Sequence, residues 1–281
     1  MHRFVCLAMG LGLASSAVAQ HGPAGGALPT PDELAKRDII TIGAGVAFIP
    51  DYEGSNDYRL IPVATIRAKL GAVSLSTRGT YLYADLLSRM NKVDLDFGPI
   101  VGARISDRRH VDDAVVRLLP HRKTAIEVGG FAGLSYNGLT NPYDSLGFRL
   151  EVVHDIGNAH KSTVFSPNVE FSTPLSRKTY VSLNAGMEFV SNRFADYYFS
   201  IDPADSLASG LPVYKARGGL KSWKWGLLLN QSITGNLLHG FSIFGAGQYS
   251  RLVGNFKRSP IVSDRGNPGQ WLGAVGLAYT W

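Results

Sequence analysis

Few residues in this chain are of types that do chemistry, and they are scattered. After the N-terminal segment, histidines stand at positions 21, 110, 121, 154, 160 and 239. Two of them adjoin carboxylates, in His110-Val-Asp112-Asp113 and in His154-Asp155. An imidazole beside carboxylates is the material of a metal site or a proton relay. One His and two carboxylates in a loop lack the preorganisation of such a site, so the first cluster is expected to be solvated. The second reads as rim polarity at a strand end. No Gly-x-Ser-x-Gly, His-Glu-x-x-His or phosphate-binding loop occurs. Hydrolysis needs a nucleophile with its base, or paired carboxylates, and no local stretch supplies either. The expectation is a protein without catalytic residues, metal or cofactor.

A second set of charges has a different potential. Arg67, Arg104, Glu127, Arg149, Glu151, Glu170, Glu188 and Lys224, with Asp94 and Asp96, all fall on the small or polar face of alternating segments. Around a lumen such charges can select ions or hold a small solute. Paired with one another, they can instead fill a narrow interior. Both readings stand at this point.

The elements that would position these charges are strands. In the last thirteen residues Trp271, Val275, Leu277, Tyr279 and Trp281 share one face, while Gln270, Ala274, Gly276, Ala278 and Thr280 share the other. The same alternation recurs at Ile40–Phe48, Thr163–Ser172, Val181–Phe189 and Phe241–Ser250. Large apolar residues on one face and small or polar ones on the other give the lipid-out, lumen-in pattern of a transmembrane barrel. A soluble sandwich alternates too. Three features favour the barrel: long strands, an export signal, and aromatics gathered near strand ends as a girdle (Tyr81, Tyr83, Trp223, Trp225, Tyr249, Trp271, Trp281).

The expected architecture is an all-β, antiparallel, up-and-down barrel of twelve strands: 38–49, 59–69, 71–78, 80–87, 93–104, 122–136, 145–157, 161–173, 178–190, 217–234, 239–250 and 269–281. Segment 71–87 can form one strand or two. An even number with both termini in the periplasm favours two, with a ten-stranded barrel as the alternative. The longer connections 50–58, 105–121, 191–216 and 251–268 then all leave the outer end. None of them is clearly long enough to form a constriction.

The N-terminus sets the compartment. Met1-His-Arg3, the apolar Phe4–Leu13 and Ala17-Val18-Ala19 form a signal peptide over 1–19, cleaved after Ala19. Cys6, the only cysteine, leaves with it. Residues 20–37 are a Gly/Pro-rich flexible periplasmic tail, and 38–281 make the barrel. The net charge of +6 would usually raise nucleic acid as a partner. Export argues against that and points to anionic lipid, lipopolysaccharide included, or murein as the neighbour, while the excess charge itself is read first as an aid to solubility during transit.

The outer loops carry the most distinctive text: Pro50-Asp-Tyr52-Glu-Gly54-Ser55, the stretch Phe199 to Tyr214, and Ser259-Pro260-Ile-Val262. In the second, Asp202 or Ser200 can cap a short helix, Pro203 can start it and Gly210 can end it, ahead of Leu211, Pro212 and Tyr214. In order and spacing these passages resemble the MltA-interacting protein/OmpV family of outer-membrane proteins, over residues 38–281. Ser200 stands where that family usually has Gly, and Trp281 where it commonly ends in Phe. The resemblance implies a non-enzymatic outer-membrane barrel. In the best-known member it implies a scaffold binding a lytic transglycosylase and a murein synthase. Other members are linked to osmotic response, adhesion and antibiotic sensitivity, so a narrow channel or solute-binding barrel is the alternative, with a hydrolase third. Leu277, Tyr279 and Trp281 resemble the signal read by the barrel-assembly machinery.

Overall fold

The computed structural model describes residues 29, 30, 33, 34, 36–87, 91–106 and 111–281. The expected signal peptide and most of the tail lie outside the described residues, as does His110. Twelve antiparallel strands follow one another in chain order around a closed ring. They are β1 (Ile39–Pro50), β2 (Tyr58–Leu70), β3 (Val73–Arg78), β4 (Tyr81–Asp85), β5 (Val93–Arg104) and β6 (Ala125–Asn137), then β7 (Ser145–Asp155), β8 (Thr163–Pro174), β9 (Thr179–Val190), β10 (Gly219–Ser232), β11 (Gly240–Leu252) and β12 (Gly269–Thr280). The ring shuts where β1 meets β12, from Thr41 opposite Thr280 to Phe48 opposite Gly273. Segment 71–87 folds as two strands, which gives the twelve expected.

Period-two alternation dictates this closure. Leu60 and Leu277, at 68% and 56% exposure, stand on the outer face with Ile42, Val46, Phe97, Phe148 and Val275. Leaving ten such side chains in water costs about 1.5–3 kcal/mol each. That sum exceeds the roughly 5–15 kcal/mol by which folded domains are stable, so this face meets lipid. Along β12 and the residue that follows it, the ten residue steps from Trp271 to Trp281 rise about 34 Å, or about 24 Å at a 45° tilt, which fits the apolar band of a transmembrane barrel. No described helix is long and apolar enough to cross a membrane; the strands cross. At the closing strand Tyr279 packs on Phe241 and on Trp281, ring centroids 4.7 Å apart in each case, while Trp281 N–H donates to Ile40 O at 2.9 Å.

The two ends of the barrel differ. Connections 51–57, 79–80, 105–124, 156–162, 191–218 and 253–268 leave one end, the loop end. Connections 71–72, 86–92, 138–144, 175–178 and 233–239, none longer than seven residues, close the other, the turn end, where β1 begins and β12 stops. The β3–β4 hairpin is shorter than its neighbours. Its ladder with β2 covers only Arg67–Leu70, and beyond that the Thr77 hydroxyl accepts from Ile66 N–H at 3.0 Å.

This hairpin corrects one expectation. Tyr81 and Tyr83 are not girdle residues. They lie opposite Gly102 and Ile100 on the inner face, where Tyr81 Oη donates to Glu127 and Tyr83 Oη to Glu151. Leu82 and Ala84 alternate with them and take the outer face.

A second correction concerns the loops. Residues 111–124, 191–218 and 253–268 do constrict the barrel, because they fold into the loop end as a compact cap. The cap contains α1 (Asn192–Phe199), α2 (Pro203–Ser209), α3 (Pro260–Ser263) and a 3-10 turn at Val116–Leu118. Ser191 caps α1 by accepting from Phe194 N–H, and Phe194, Ala195, Tyr198 and Phe199 are its buried face. In α2, Asp202 accepts from Asp205 N–H, Pro203 opens the first turn and Gly210 ends the helix at φ +75°, as the sequence predicts.

Candidate functional site

The cap is interlocked by the loop motifs singled out in the sequence. Tyr52, next but one to Pro50 at the end of β1, is buried and donates from Oη to Ile261 O at 3.2 Å. Gly54 N–H donates to Gln270 Oε1 at 3.1 Å, and Gln270 Nε2 donates to Ser55 O at 2.9 Å. Ser55 also bridges to Gly266. Gly54 has φ +101°, and a Cβ there would lie 2.5 Å from Val262 Cγ2. Only glycine suits both conditions. Ser259 Oγ donates to Phe199 O at 2.6 Å, just ahead of Pro260 at the start of α3, and the Phe199 ring meets Phe256 at 5.1 Å. Tyr214 pairs with Ile201 and donates from Oη to Asn255 O at 2.6 Å; Leu211 is buried beside it, and Pro212 is exposed.

Charges tie the cap further. Arg265 Nη2 stands 2.8 Å from Asp113 Oδ2, and the same carboxylate accepts from Val115 and Val116 N–H. Burial works against ionising Asp113, yet Arg265 and these two N–H groups hold its carboxyl below the usual range. At Asp51 burial wins and pushes the carboxyl up, although the N–H of Asp112 donates to it at 3.2 Å. Of the His110–Asp113 cluster, the Asp113 carboxylate is therefore held within the cap's structure, while Asp112 is exposed.

Beneath the cap lies a buried charge network. Arg104 Nε donates to Glu127 Oε1 at 2.9 Å, and its Nη1 stands 2.9 Å from Glu188 and 3.3 Å from Glu53. Lys221 Nζ joins Glu53 at 2.7 Å and Glu188 at 3.0 Å. The Arg104 guanidinium and the Lys221 ammonium both lie over the Phe194 ring of α1, at 5.2 and 5.0 Å. The cap is thus seated on cations that are themselves held by carboxylates.

A second layer braces the lumen from wall to wall. Arg78 on β3 pairs with Glu170 on β8 at 2.5 Å, five strands away in a ring of twelve. Glu170 also accepts from Ser182 Oγ at 2.8 Å. Arg149 Nε donates to Glu151 at 2.8 Å, with its guanidinium 5.6 Å from the Tyr83 ring and 5.7 Å from Phe131. Arg67 on β2 reaches the Tyr180 ring on β9, again five strands away, at 5.7 Å. Toward the turn end Asp96 accepts from Ser135 Oγ, and Asp94 is buried. Lys224 shares the inner face with Gly186 and Ser250. Among the described residues no carboxylate lies within ion-pair distance of Arg67 or Lys224.

Four network members escape the sequence reading. Lys221 has the parity of the lipid-facing Trp223 and Trp225, but a bulge between Leu220 and Ser222 turns it inward. Arg78 ends a short strand. Glu53 comes from a loop, and His160 from the 156–162 connection. His160 forms a chain with the atom types of a nucleophile triad: Ser162 Oγ at 2.8 Å from Nδ1 and Glu127 Oε1 at 2.8 Å from Nε2. A serine triad needs an accessible hydroxyl on Nε2. Here Ser162 is 5% exposed, bonds the other nitrogen, and Glu127 is already committed to Arg104 and Tyr81. This chain packs the cap: the His160 ring meets Phe194 at 4.9 Å. His154, by contrast, bonds Thr163 on the outer face, and Asp155 accepts from Gly157 and Lys161 N–H within its turn.

Comparison with known proteins adds the following. The family model described as MltA-interacting protein MipA matches residues 42–281. The toluene transporter TbuX of Ralstonia pickettii is similar over 89% of this chain and 91% of its own, at 11% identity and a TM-score of 0.33. The CymD monoaromatic hydrocarbon channel is similar over 89% and 90%, at 10% identity and a TM-score of 0.37. An anion-selective porin from Comamonas acidovorans is similar over 87% and 99%, at 9% identity and a TM-score of 0.36. No curated protein matches the sequence at a significant level.

Proposed function

Because this chain belongs to the MltA-interacting protein family, we propose that it is a non-enzymatic outer-membrane barrel that scaffolds murein-remodelling enzymes. The observation that carries this reading is the lumen. A barrel crossed by Arg78–Glu170 and Arg104–Glu188 and capped by Phe194, Tyr198 and Phe199 is built to be rigid and shut. A family named for an interaction with MltA suits a protein whose product is a surface. The resemblance supplies the partner class, a lytic transglycosylase together with a murein synthase.

The proposed orientation is supported by the short turns at one end and the even strand number. With the loop end outside, both termini and the turn end face the periplasm, where murein lies. In this reading the signal peptide 1–19 is cleaved after Ala19, 20–37 is the periplasmic tail, and 38–281 form the barrel. The enzymes then dock on the turn end and tail, while lipopolysaccharide surrounds the loop end. The barrel-assembly machinery acts earlier, on Leu277, Tyr279 and Trp281.

One observation favours a second reading. Among the described residues Arg67 and Lys224 are lumen cations with no carboxylate within ion-pair distance, as the lining of a narrow channel for anions or small solutes would have. Planar-bilayer recording separates the two. The scaffold reading expects no discrete openings, whereas regular conductance steps from the parent protein would replace it with the channel. Affinity capture of the full chain from detergent-solubilised envelopes is expected to recover a murein hydrolase and a synthase. Recovery of neither would overturn the scaffold.

A further inference from the structure

Trp residues gather on one stretch of this barrel's outer wall. At the loop end of β10–β12, Trp223, Trp225, Tyr249 and Trp271 form one outward cluster, with ring centroids 5.0–6.3 Å apart. Arg251 stands directly opposite Trp223 in the ladder with β10 and opposite Gly269 in the ladder with β12. It therefore shares the outer face of the wall, immediately above these rings, and it is exposed. The Tyr249 hydroxyl leans the same way: a Cβ on Gly269 would lie 2.8 Å from it. An arginine on the lipid-facing side of a barrel is costly unless it sits at the headgroup level and meets an anion there.

More cations stand just above. Arg217 N–H donates to Asn255 Oδ1 at 2.7 Å, and Arg258 N–H donates to Asn255 O at 3.2 Å, so one turn holds both backbones together beside Lys257. Val253 N–H donates to Lys221 O at 2.9 Å and ties this turn to the start of β10. Arg217, Lys257 and Arg258 are exposed. Among the described residues none of these three, nor Arg251, has a carboxylate within ion-pair distance; the nearby Lys215 does, in Asp196 at 2.5 Å.

We propose that this face is a docking site for a phosphorylated glycolipid of the leaflet at the loop end. Arg251 and the turn carrying Arg217 and Arg258 hold its phosphates, Tyr249 donates to the headgroup, and the acyl chains lie along Trp223 and Trp271. Charge complementarity selects a phosphate-bearing headgroup, because the patch presents four cations and no carboxylate of its own. The flat, stacked aromatic surface below selects a lipid over a soluble phosphate. The inference rests on the proposed orientation, with the loop end at the outer leaflet, and does not depend on the scaffold role.

Native mass spectrometry of the purified full-length barrel in detergent tests it, with bis-phosphorylated lipid A, dephosphorylated lipid A and phosphatidylglycerol as probes. The parent is expected to retain phosphorylated lipid A at least tenfold better than the dephosphorylated form. Arg251→Ala should lose about fivefold, and Arg217→Ala/Arg251→Ala/Lys257→Ala/Arg258→Ala about a hundredfold or more. Arg251→Lys should recover most of the single loss. The unheated gel mobility of each variant shows whether it has folded, and Lys161→Ala, in the β7–β8 connection outside the patch, serves as a folded charge control with unchanged binding. Equal retention of both lipid A forms, equal loss in the control, or preference for phosphatidylglycerol would each overturn the proposal.

Discussion

Arg104 is the most exacting place to test the physical reading of the lumen. It is the common partner of Glu53, Glu127 and Glu188, and Glu127 is fully buried. Arg104→Met keeps the length and much of the volume of the side chain but removes the guanidinium. Glu188 and Glu53 keep Lys221, while Glu127 is left with His160 and Tyr81. Breaking a buried pair from one side costs about 3–5 kcal/mol, because it strands the opposite charge. At roughly 2–4 °C per kcal/mol for a chain of about this size, the melting temperature should fall by about 6–20 °C. The loss of the unheated, fast-migrating gel band with temperature reads this out. Arg104→Met/Glu127→Gln should recover at least half of the loss, since it removes the stranded charge together with its partner. The guanidinium also lies over Phe194, so the single variant should loosen α1 and expose segment 191–218 to protease below the melting range. A melting temperature within about 2 °C of the parent, or a double variant worse than the single, would refute the account of the network as an obligate pair system.

Other consequences can be checked independently. Gly54→Val places a branched side chain at φ +101° and 2.5 Å from Val262, so the cap should come apart: protease should cut within 253–268 while the barrel's gel mobility survives. Asp113 has its carboxyl held below the ordinary value near 3.9. Its contribution is therefore complete above about pH 4 and is lost as pH falls through the lower folded value. Asp113→Asn should flatten the acid-side loss of cap protection measured by proteolysis between pH 5 and pH 2; an unchanged profile would show that this pair does not control it. Trp281→Asp puts a charge against Tyr279 at the end of the closing strand. Membrane assembly of this variant should fall several-fold by fractionation, and normal heat-modifiable folding would contradict the assembly role.

Much of this molecule is legible in its text because a barrel wall obeys one rule. Alternation with period two yields the strands, and the faces follow from which partner is large and apolar. The α2 helix is equally plain, since Asp202, Pro203 and Gly210 are local signals that need no tertiary context. Lys221 fails the same rule for a local reason, as one extra residue at a bulge reverses its face. Tyr81 and Tyr83 mislead by residue type: aromatics near a strand end suggest a girdle, while their alternation with Leu82 and Ala84 points inward. The cap is hidden more deeply. The buried face of α1 at Phe194, Ala195, Tyr198 and Phe199 does have helical spacing, but eight residues are too few to declare what they bury against. The wall-to-wall braces depend on which strands end up opposite each other, which no local window contains.

The cap also fixes an order of events. Tyr52 and Ile261 are 209 residues apart in sequence, and Gly54 and Gln270 are 216 apart. Contacts so remote form last, after the entropy of closing long loops has been overcome. The β1–β2 loop cannot find its partners until the final hairpin exists. A barrel still missing β12 therefore has an unsealed, wet interior, and sealing certifies that the ring has closed. A protease able to enter the mouth would distinguish finished from unfinished molecules without recognising any particular sequence. The lid of this barrel is, in effect, its own certificate of completion.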